Sequence, residues 1–318
     1  MIDQKTPLVS VIIAFLNDGR FLAEAVESVI NQEYKNWELI LVDDGSTDES
    51  TRIAKDYANS YPGKIFYAEH QGHINKGHSA SRNYGISLSQ GELIAFLDGD
   101  DIWLPAKLSV QISLMQAKPK AIMLCEACEY WYRWQDKTKQ DIVVQIGTVQ
   151  DKLFNPPQLA ETLYPLSVGN APSLSGILVK KSVFEKHGGF EEQFTGLYGD
   201  QAFLHKVYLN EPVYISSLCH HKYRQREGSI VQKTTSEGDY HVKRRFFLKW
   251  SQQYMLENNI KHEKVQQLLK KALKPYHNPF LYLLRIYFYP FTKKKFYPFI
   301  WKKKMQLKKL LWKSNANN

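Results

Sequence analysis

Residues 95 to 105 read Ala95-Phe96-Leu97-Asp98-Gly99-Asp100-Asp101-Ile102-Trp103-Leu104-Pro105: an apolar run that turns into three carboxylates within four positions. Carboxylates this close repel one another unless a cation sits among them or water solvates them. An apolar strand leading in makes full solvation harder. The stretch therefore predicts a strand ending in a site for a cation. A polar turn capping the next helix would explain the cluster equally well if it stood alone, so the residues around it decide.

Working outward, short apolar and β-branched runs alternate with helical patterns through the first third of the chain. Leu8 to Phe15, Trp37 to Val42, Lys64 to Ala68 and Glu92 to Leu97 read as strands. Such alternation implies a parallel sheet covered on both faces. Ser46-Thr47-Asp48-Glu49 fits a capping box, and Phe21 to Ile30 carries helical apolar spacing. In open sheets of this kind, ligands collect beyond the carboxyl ends of strands. Asn17-Asp18, Asp43-Asp44-Gly45-Ser46 and Asp98-Gly99-Asp100-Asp101 all fall at such ends. Between the second and third lies Asn75-Lys76-Gly77-His78-Ser79-Ala80-Ser81-Arg82-Asn83-Tyr84-Gly85, an amide-rich, cationic entry to a helix that suits phosphate. Two solvated cations at a helix start are the plainer account of that run.

Beyond residue 120 the order is less regular. Strands are expected at Ala121 to Trp131, Ile142 to Ile146, Gly176 to Lys180, Val213 to Ser216 and His220 to Arg224, and helices at Lys181 to His187 and Asp200 to Leu209. After Asp239 the pattern is helical and basic, with breaks expected at Pro275, Pro279, Pro290 and Pro298.

The chain has 318 residues and a formal net charge of +10, but the charge is uneven. Of 42 Lys and Arg, 14 follow the last acidic residue, Glu263, which leaves 28 against 32 acidic residues in the rest. The basic balance thus belongs to the C-terminal stretch. There, lysine clusters interleave with Phe296, Phe299, Trp301 and Trp312, a composition suited to an anionic membrane surface, and no nucleic-acid motif accompanies the charge. A helical pair packed on the main body with a solvated basic face is the alternative. Cys125, Cys128 and Cys219 are too few for a disulfide framework, and Cys125-Glu126-Ala127-Cys128 lacks the second pair that zinc needs, so a reducing compartment is expected. The N-terminal apolar run has no cationic region before it, and no stretch reaches the roughly 20 apolar residues of a membrane span.

Leu8 to Ile13, Leu41 to Asp48, the Asn75 to Gly85 run and Phe96 to Asp101 stand in the order and spacing of family 2 glycosyltransferases of the GT-A fold. The chain resembles this family closely over residues 7 to 117 and more loosely to about 230. The resemblance implies an α/β fold, a GT-A-like mostly parallel sheet flanked by helices. Residues 1–235 would form the transferase domain (1–117 nucleotide-sugar half, 118–235 acceptor half) and 236–318 a helical basic extension. It further implies that Asp98 and Asp100 hold Mn²⁺ or Mg²⁺ on the donor diphosphate, with Asp98 also near the ribose. Asp44 would read the uracil edge, the backbone at Ala14 and Phe15 would line the nucleoside pocket, and Lys76 and Arg82 would meet the nucleotide. Gly176 to Phe184 and Gly188 to Glu192 are similar to the family's second block, which leads to a Glu-Asp pair. Here that pair reads Gly199-Asp200, keeping the family's general base and losing the glutamate. Asp200 could instead merely cap a helix. Arg226 stands where relatives often have a histidine near the diphosphate. Arginine cannot ligate a metal but can pair with phosphate oxygens. His220 and His221 are rival ligands, and on a strand they point to opposite faces.

The function expected from this resemblance is a metal-dependent inverting transfer of sugar from a nucleoside diphosphate, UDP being favoured. The acceptor would be a glycan or a lipid-linked acceptor of cell-surface polysaccharide or glycolipid synthesis, handled at the inner face of the membrane in the cytoplasm. A sugar-phosphate nucleotidyltransferase shares the need for metal and phosphate but gives no reason for the block at 176 to 200. An inactive sugar-nucleotide-binding module attached to membrane is the alternative outside enzymes.

Overall fold

The computed structural model describes residues 6–226, 234, 239–278, 280 and 282. Its first strands, β1 (Val9–Phe15) and β2 (Trp37–Asp43), are buried at every position, as largely apolar strands covered on both faces are, and their inner polar residues pair, Ser10 Oγ donating to Glu38. Helix α1 (Leu22–Ile30) joins them, burying Leu22, Ala25, Val26 and Val29 at helical spacing. Helix α2 (Ser50–Ser60) leads to β3 (Ile65–Glu69), and α3 (His78–Leu88) returns the chain to β4 (Leu93–Phe96) on the far side of β1. The strand order therefore reverses at the β1 and β4 pair. The loops after their carboxyl ends therefore flank the switch point at which open sheets of this kind form a ligand crevice.

The remaining chain extends this sheet and adds a second one. Short β5 (Ile102–Trp103) precedes α4 (Lys107–Ala117), and the expected strand at 121 to 131 is two, β6 (Met123–Glu126) and β7 (Cys128–Trp131), in different sheets. The chain changes sheet at Ala127, which is wholly buried. β8 (Ile142–Val144), β9 (Lys152–Phe154), α5 (Gln158–Thr162), a 3-10 turn at Leu174–Gly176, β10 (Ile177–Lys180) and α6 (Ser182–His187) follow. Then come α7 (Gly199–Asn210), β11 (Val213–Ser216) and β12 (His221–Arg224). The main sheet has the order β3-β2-β1-β4-β10-β6-β11-β9, with β10 and β9 antiparallel to their neighbours, and the smaller sheet the order β5-β12-β7-β8.

Two helices complete the fold, α8 (Tyr240–Glu257) and α9 (Glu263–His277). Phe247, Leu248, Met255, Val265, Leu269, Leu273 and Tyr276 belong to the same apolar cluster as Ile12 and Phe96, so these helices share a core with the main sheet. Burying each such side chain contributes about 1.5–3 kcal/mol.

Two local expectations differ. α2 starts at Ser50 without a capping box: Ser46 Oγ instead accepts from the Asn17 amide (3.1 Å), and Asp48 accepts from the Ser50 amide (3.0 Å). Pro275 lies inside α9 instead of ending it. Pro279, Pro290, Pro298 and nearly all of the lysine-rich stretch lie outside the described residues.

Candidate active site

The crevice is built first by close backbone approach. A Cβ on Gly99 would lie 2.8 Å from Asp18 Oδ2, so glycine is what lets the turn after β4 pack against the loop after β1. The three carboxylates of the opening stretch then take different roles. Asp98 accepts from Arg82 Nη2 at 2.8 Å, and Asp100 accepts from Arg226 Nε at 2.6 Å. Asp101 is fully buried and accepts from Ser175 Oγ (2.8 Å) and the Arg224 amide (3.0 Å). Burial, followed by repulsion from Asp100 and Asp98, holds its pKa well above the usual aspartate value. Asp101 is thus a strut between strands, not a ligand. Arg224 supports the same turn: its Nε donates to the Asp100 carbonyl (2.7 Å) and its Nη2 to Glu24 (2.7 Å), while its guanidinium lies over the rings of Phe21 and Trp131.

Asp18 is a third carboxylate facing these groups, with Arg226 Nη2 3.5 Å away. Burial raises its pKa to about 7, Asp100 pushes it the same way, and Arg226 pulls against both. Three carboxylates, Asp18, Asp98 and Asp100, thus face two guanidiniums here. Among the described residues no three His, Cys, Asp or Glu side chains are placed to cage an ion by themselves. A divalent hard cation fits another way. Such ions accept one or two carboxylates and take their other ligands from phosphate and water, and the site offers oxygen donors and surplus negative charge. Asp100 and Asp98 are the residues that would hold it.

Asp44, the residue after β2, is fully buried. Its Oδ1 accepts from the Lys76 amide (2.8 Å), the Gly77 amide (3.0 Å) and Ser81 Oγ (3.0 Å), while Oδ2 has no partner among the described residues. Gly45, at φ +83°, makes this possible, since a Cβ there would lie 2.8 Å from the Asn75 amide nitrogen. A buried carboxylate oxygen left unpaired costs free energy until a donor arrives. The segment over it, residues 71–76, is exposed along most of its length.

Asp200 lies in the first turn of α7. The N-cap of that helix is Tyr198, so Asp200 is not the cap. Its Oδ1 accepts from the Gln201 amide at 2.7 Å, and burial is the main cause of its raised pKa, with Arg82 pulling it down. Tyr198 has left-handed backbone (φ +78°), and its hydroxyl bonds that of Tyr164, which reaches Tyr240 of α8 at 3.3 Å. Three separated segments therefore fix the start of α7. The loss of the family's glutamate at 199 has a steric counterpart: a Cβ there would lie 2.6 Å from Ser79 Oγ on α3.

A single cavity of about 760 Å³ is lined by Ala14, Arg82, Asp98, Asp100, Asp200 and Arg226 among others. Lys76 is exposed and Asp44 wholly buried; both lie outside the lining, Lys76 meeting the site through its amide hydrogen bond to Asp44. The Phe15 side chain is in the core, and its carbonyl accepts from the Asp44 amide (2.9 Å). Neither rival histidine is in the lining: His220 bonds Glu126, and His221 is buried against Gly176. The cysteines are all free. Asp18 and His78 also line the cavity, and neither was given a role from the sequence. Asp18 was visible as a strand-end acid. His78, whose buried Nδ1 has no hydrogen-bond partner among the described residues, sits inside the cationic run, where Lys76 and Arg82 draw the eye.

The family model described as glycosyl transferase family 2 matches residues 10–187. Glycosyltransferase GlyG of Streptococcus pneumoniae is 29% identical over 237 residues, covering 71% of this chain and 73% of GlyG. The minor teichoic acid biosynthesis protein GgaB of Bacillus subtilis is 47% identical over 95 residues, 29% of this chain and 10% of GgaB. Among solved structures, S. aureus TarS 1-349 in complex with UDP-GlcNAc has a TM-score of 0.60 at 20% identity, covering 83% of this chain and 71% of that one, and shows the shared fold. The chain spans less than two thirds of the length of most of the curated relatives it matches.

Proposed function

The chain belongs to glycosyl transferase family 2, and from that premise we propose that it transfers a sugar from a UDP-sugar, with inversion, to a glycan or lipid-linked acceptor of cell-surface polysaccharide or glycolipid synthesis. One observation carries the reading: a single cavity gathers two arginine-paired carboxylates, Asp98 and Asp100, with a separate half-buried carboxylate, Asp200. The first two suit a nucleoside diphosphate and its cation, and the third suits a base. The unpaired Oδ2 of Asp44 supports uracil, whose ring N–H is a donor of the kind this oxygen lacks, once residues 71–76 give way. GgaB, named for teichoic acid biosynthesis, supports a cell-surface product, and TarS, solved with UDP-GlcNAc, supports the donor class.

In this reading Arg82 and Arg226 orient the diphosphate as fixed forks. A bound Mn²⁺ or Mg²⁺ would supply Lewis-acid stabilisation of the leaving diphosphate. Asp200 takes the proton of the acceptor hydroxyl as that oxygen attacks the anomeric carbon, since an alcohol is far too weak an acid to lose it unaided near neutral pH. The bond to the diphosphate breaks on the opposite face, giving inversion in one step. The test is a thermal-shift screen of purified protein with Mn²⁺ against nucleoside diphosphates and their sugars. UDP and one or more UDP-sugars should raise Tm, while GDP and ADP leave it in place. Stabilisation by a purine nucleotide alone would move the donor assignment elsewhere.

Attachment to an anionic membrane surface through the C-terminal region belongs to the same proposal and rests on its lysine and aromatic composition. No helix among the described residues is long and apolar enough to cross a membrane. Full-length protein should float with anionic liposomes at low salt, and a chain ending at Asn278, which keeps the packed Tyr276, should not. Equal flotation of the two would exclude the tail as the anchor.

A further inference from the structure

The segment over Asp44 is pinned by a side chain with no part in the chemistry above. His73 has left-handed backbone (φ +52°) and follows Gly72, also left-handed (φ +77°). Its Nδ1 lies 2.9 Å from Glu69 Oε2 on β3, and its Nε2 lies 2.8 Å from the Ser46 carbonyl oxygen. A carboxylate and a backbone carbonyl can only accept, so the ring that makes both bonds carries two protons and is the imidazolium. Glu69 is held ionised, since the Tyr67 hydroxyl donates to it, His73 does too, and Lys55 of α2 lies 4.0 Å away. The other acid acting on the ring is Asp43 at the end of β2, fully buried, which accepts from Thr51 Oγ1 (2.6 Å) and Tyr67. His70, three residues earlier, bonds Ser81 Oγ instead (2.9 Å) and lies 4.0 Å from Asp44 Oδ1. There is no slack under the segment: a Cβ on Gly45 would lie 2.8 Å from the Asn75 amide nitrogen and 3.0 Å from the His73 carbonyl oxygen.

Resting on the reading of Asp44 as the residue that meets the base, we propose that His73 is a positioning residue for the nucleotide: charged, it latches residues 71–76 over Asp44 and keeps the base out, and on giving its proton to water it lets the base in. Losing either ring proton turns a nitrogen lone pair toward an acceptor oxygen, so one bond of the latch is lost and repulsion replaces it. The Lys76 amide, which occupies Asp44 Oδ1 at 2.8 Å, belongs to the segment so released. The Ser46 carbonyl is the first influence on the His73 pKa and raises it above the ordinary 6.5; desolvation opposes this, and Glu69 and Asp43 add to the rise. The latch is therefore complete below the ordinary histidine value and lost as pH rises through the raised one. Base binding and proton release favour each other to the same extent.

Uridine is the probe for full-length protein, because it carries the base without a phosphate that would titrate in the same window. Its affinity by ligand-observed NMR should rise roughly two- to fivefold between about pH 5.5 and about pH 8, the range a part-exposed charged pair is worth. In His73→Asn, a residue that tolerates left-handed backbone, affinity should stay at the high-pH level throughout. Hydrogen exchange of the Lys76 amide in ligand-free protein, corrected for its intrinsic rate, should quicken over the same interval in the unaltered chain and not in the variant. Uridine binding that is flat with pH in the unaltered chain overturns the latch, and so does a rise that survives in His73→Asn, which would point to His70. Amide exchange that follows His73 with no uridine binding at any pH would instead remove Asp44 as the residue that meets the base and leave the latch standing.

Discussion

Asp200→Asn should leave UDP affinity within about twofold and lower sugar transfer by roughly two to four orders of magnitude, the usual worth of a positioned general base. The amide preserves the shape and can still meet the Gln201 N–H that Asp200 accepts, so α7 and its start should stay as they are. What it loses is the ability to take a proton. Burial raises the pKa of Asp200, so the acidic limb of the transfer rate in the unaltered protein should lie above the ordinary aspartate value of 3.8. Activity should be present above that limb and lost as pH falls through it. In the variant the limb should vanish with the rate. Transfer near the unaltered rate, or an unshifted acidic limb in the variant, would place the base on another residue.

Asp100→Ala should remove the Mn²⁺-dependent part of UDP binding while leaving the fold intact. Asp100 is outside the apolar core, and its side chain meets Arg226, so nothing in the sheet loses packing. Even a group that merely orients a metal ligand is worth roughly 10- to 100-fold in metal affinity, and a direct ligand should cost at least that. The readout has to be the difference between UDP affinities with and without Mn²⁺. Releasing Arg226 from Asp100 frees a cation for phosphate, which raises metal-free affinity and partly masks the loss in any single measurement. An unchanged Mn²⁺ dependence in folded variant protein would remove Asp100 from the metal site.

What was legible from the sequence follows how local its cause is. β1, β2 and β4 were readable because strands buried on both faces are largely apolar, and the acids at their ends stand out by contrast. The split of residues 121 to 131 was not, since β6 and β7 are equally strand-like and only their partners, β11 and β12, assign them to different sheets. Nor could the sequence separate Asp101 from Asp98 and Asp100. The difference is made by Ser175 and Arg224, which lie 74 and 123 positions away. β9 and α5 are short, at 3 and 5 residues, and carry too little pattern to register. Gly199 looked like a loss in the sequence and becomes an accommodation once Ser79 is seen beside it.

The joint core of α8 and α9 with the sheet bears on where this protein can be cut. A change of composition near residue 239 invites a shortened version that stops there, yet Phe247, Leu248 and Tyr276 fill the cluster that also holds Ile12 and Phe96. Stopping at 239 would strip a face of the catalytic half bare and remove Tyr240, the outer member of the hydroxyl chain that ends one residue before Gly199. The shortest fragment with a closed interior runs past Tyr276, and libraries of C-terminal deletions should show soluble expression collapsing on the near side of that residue, not at the compositional seam.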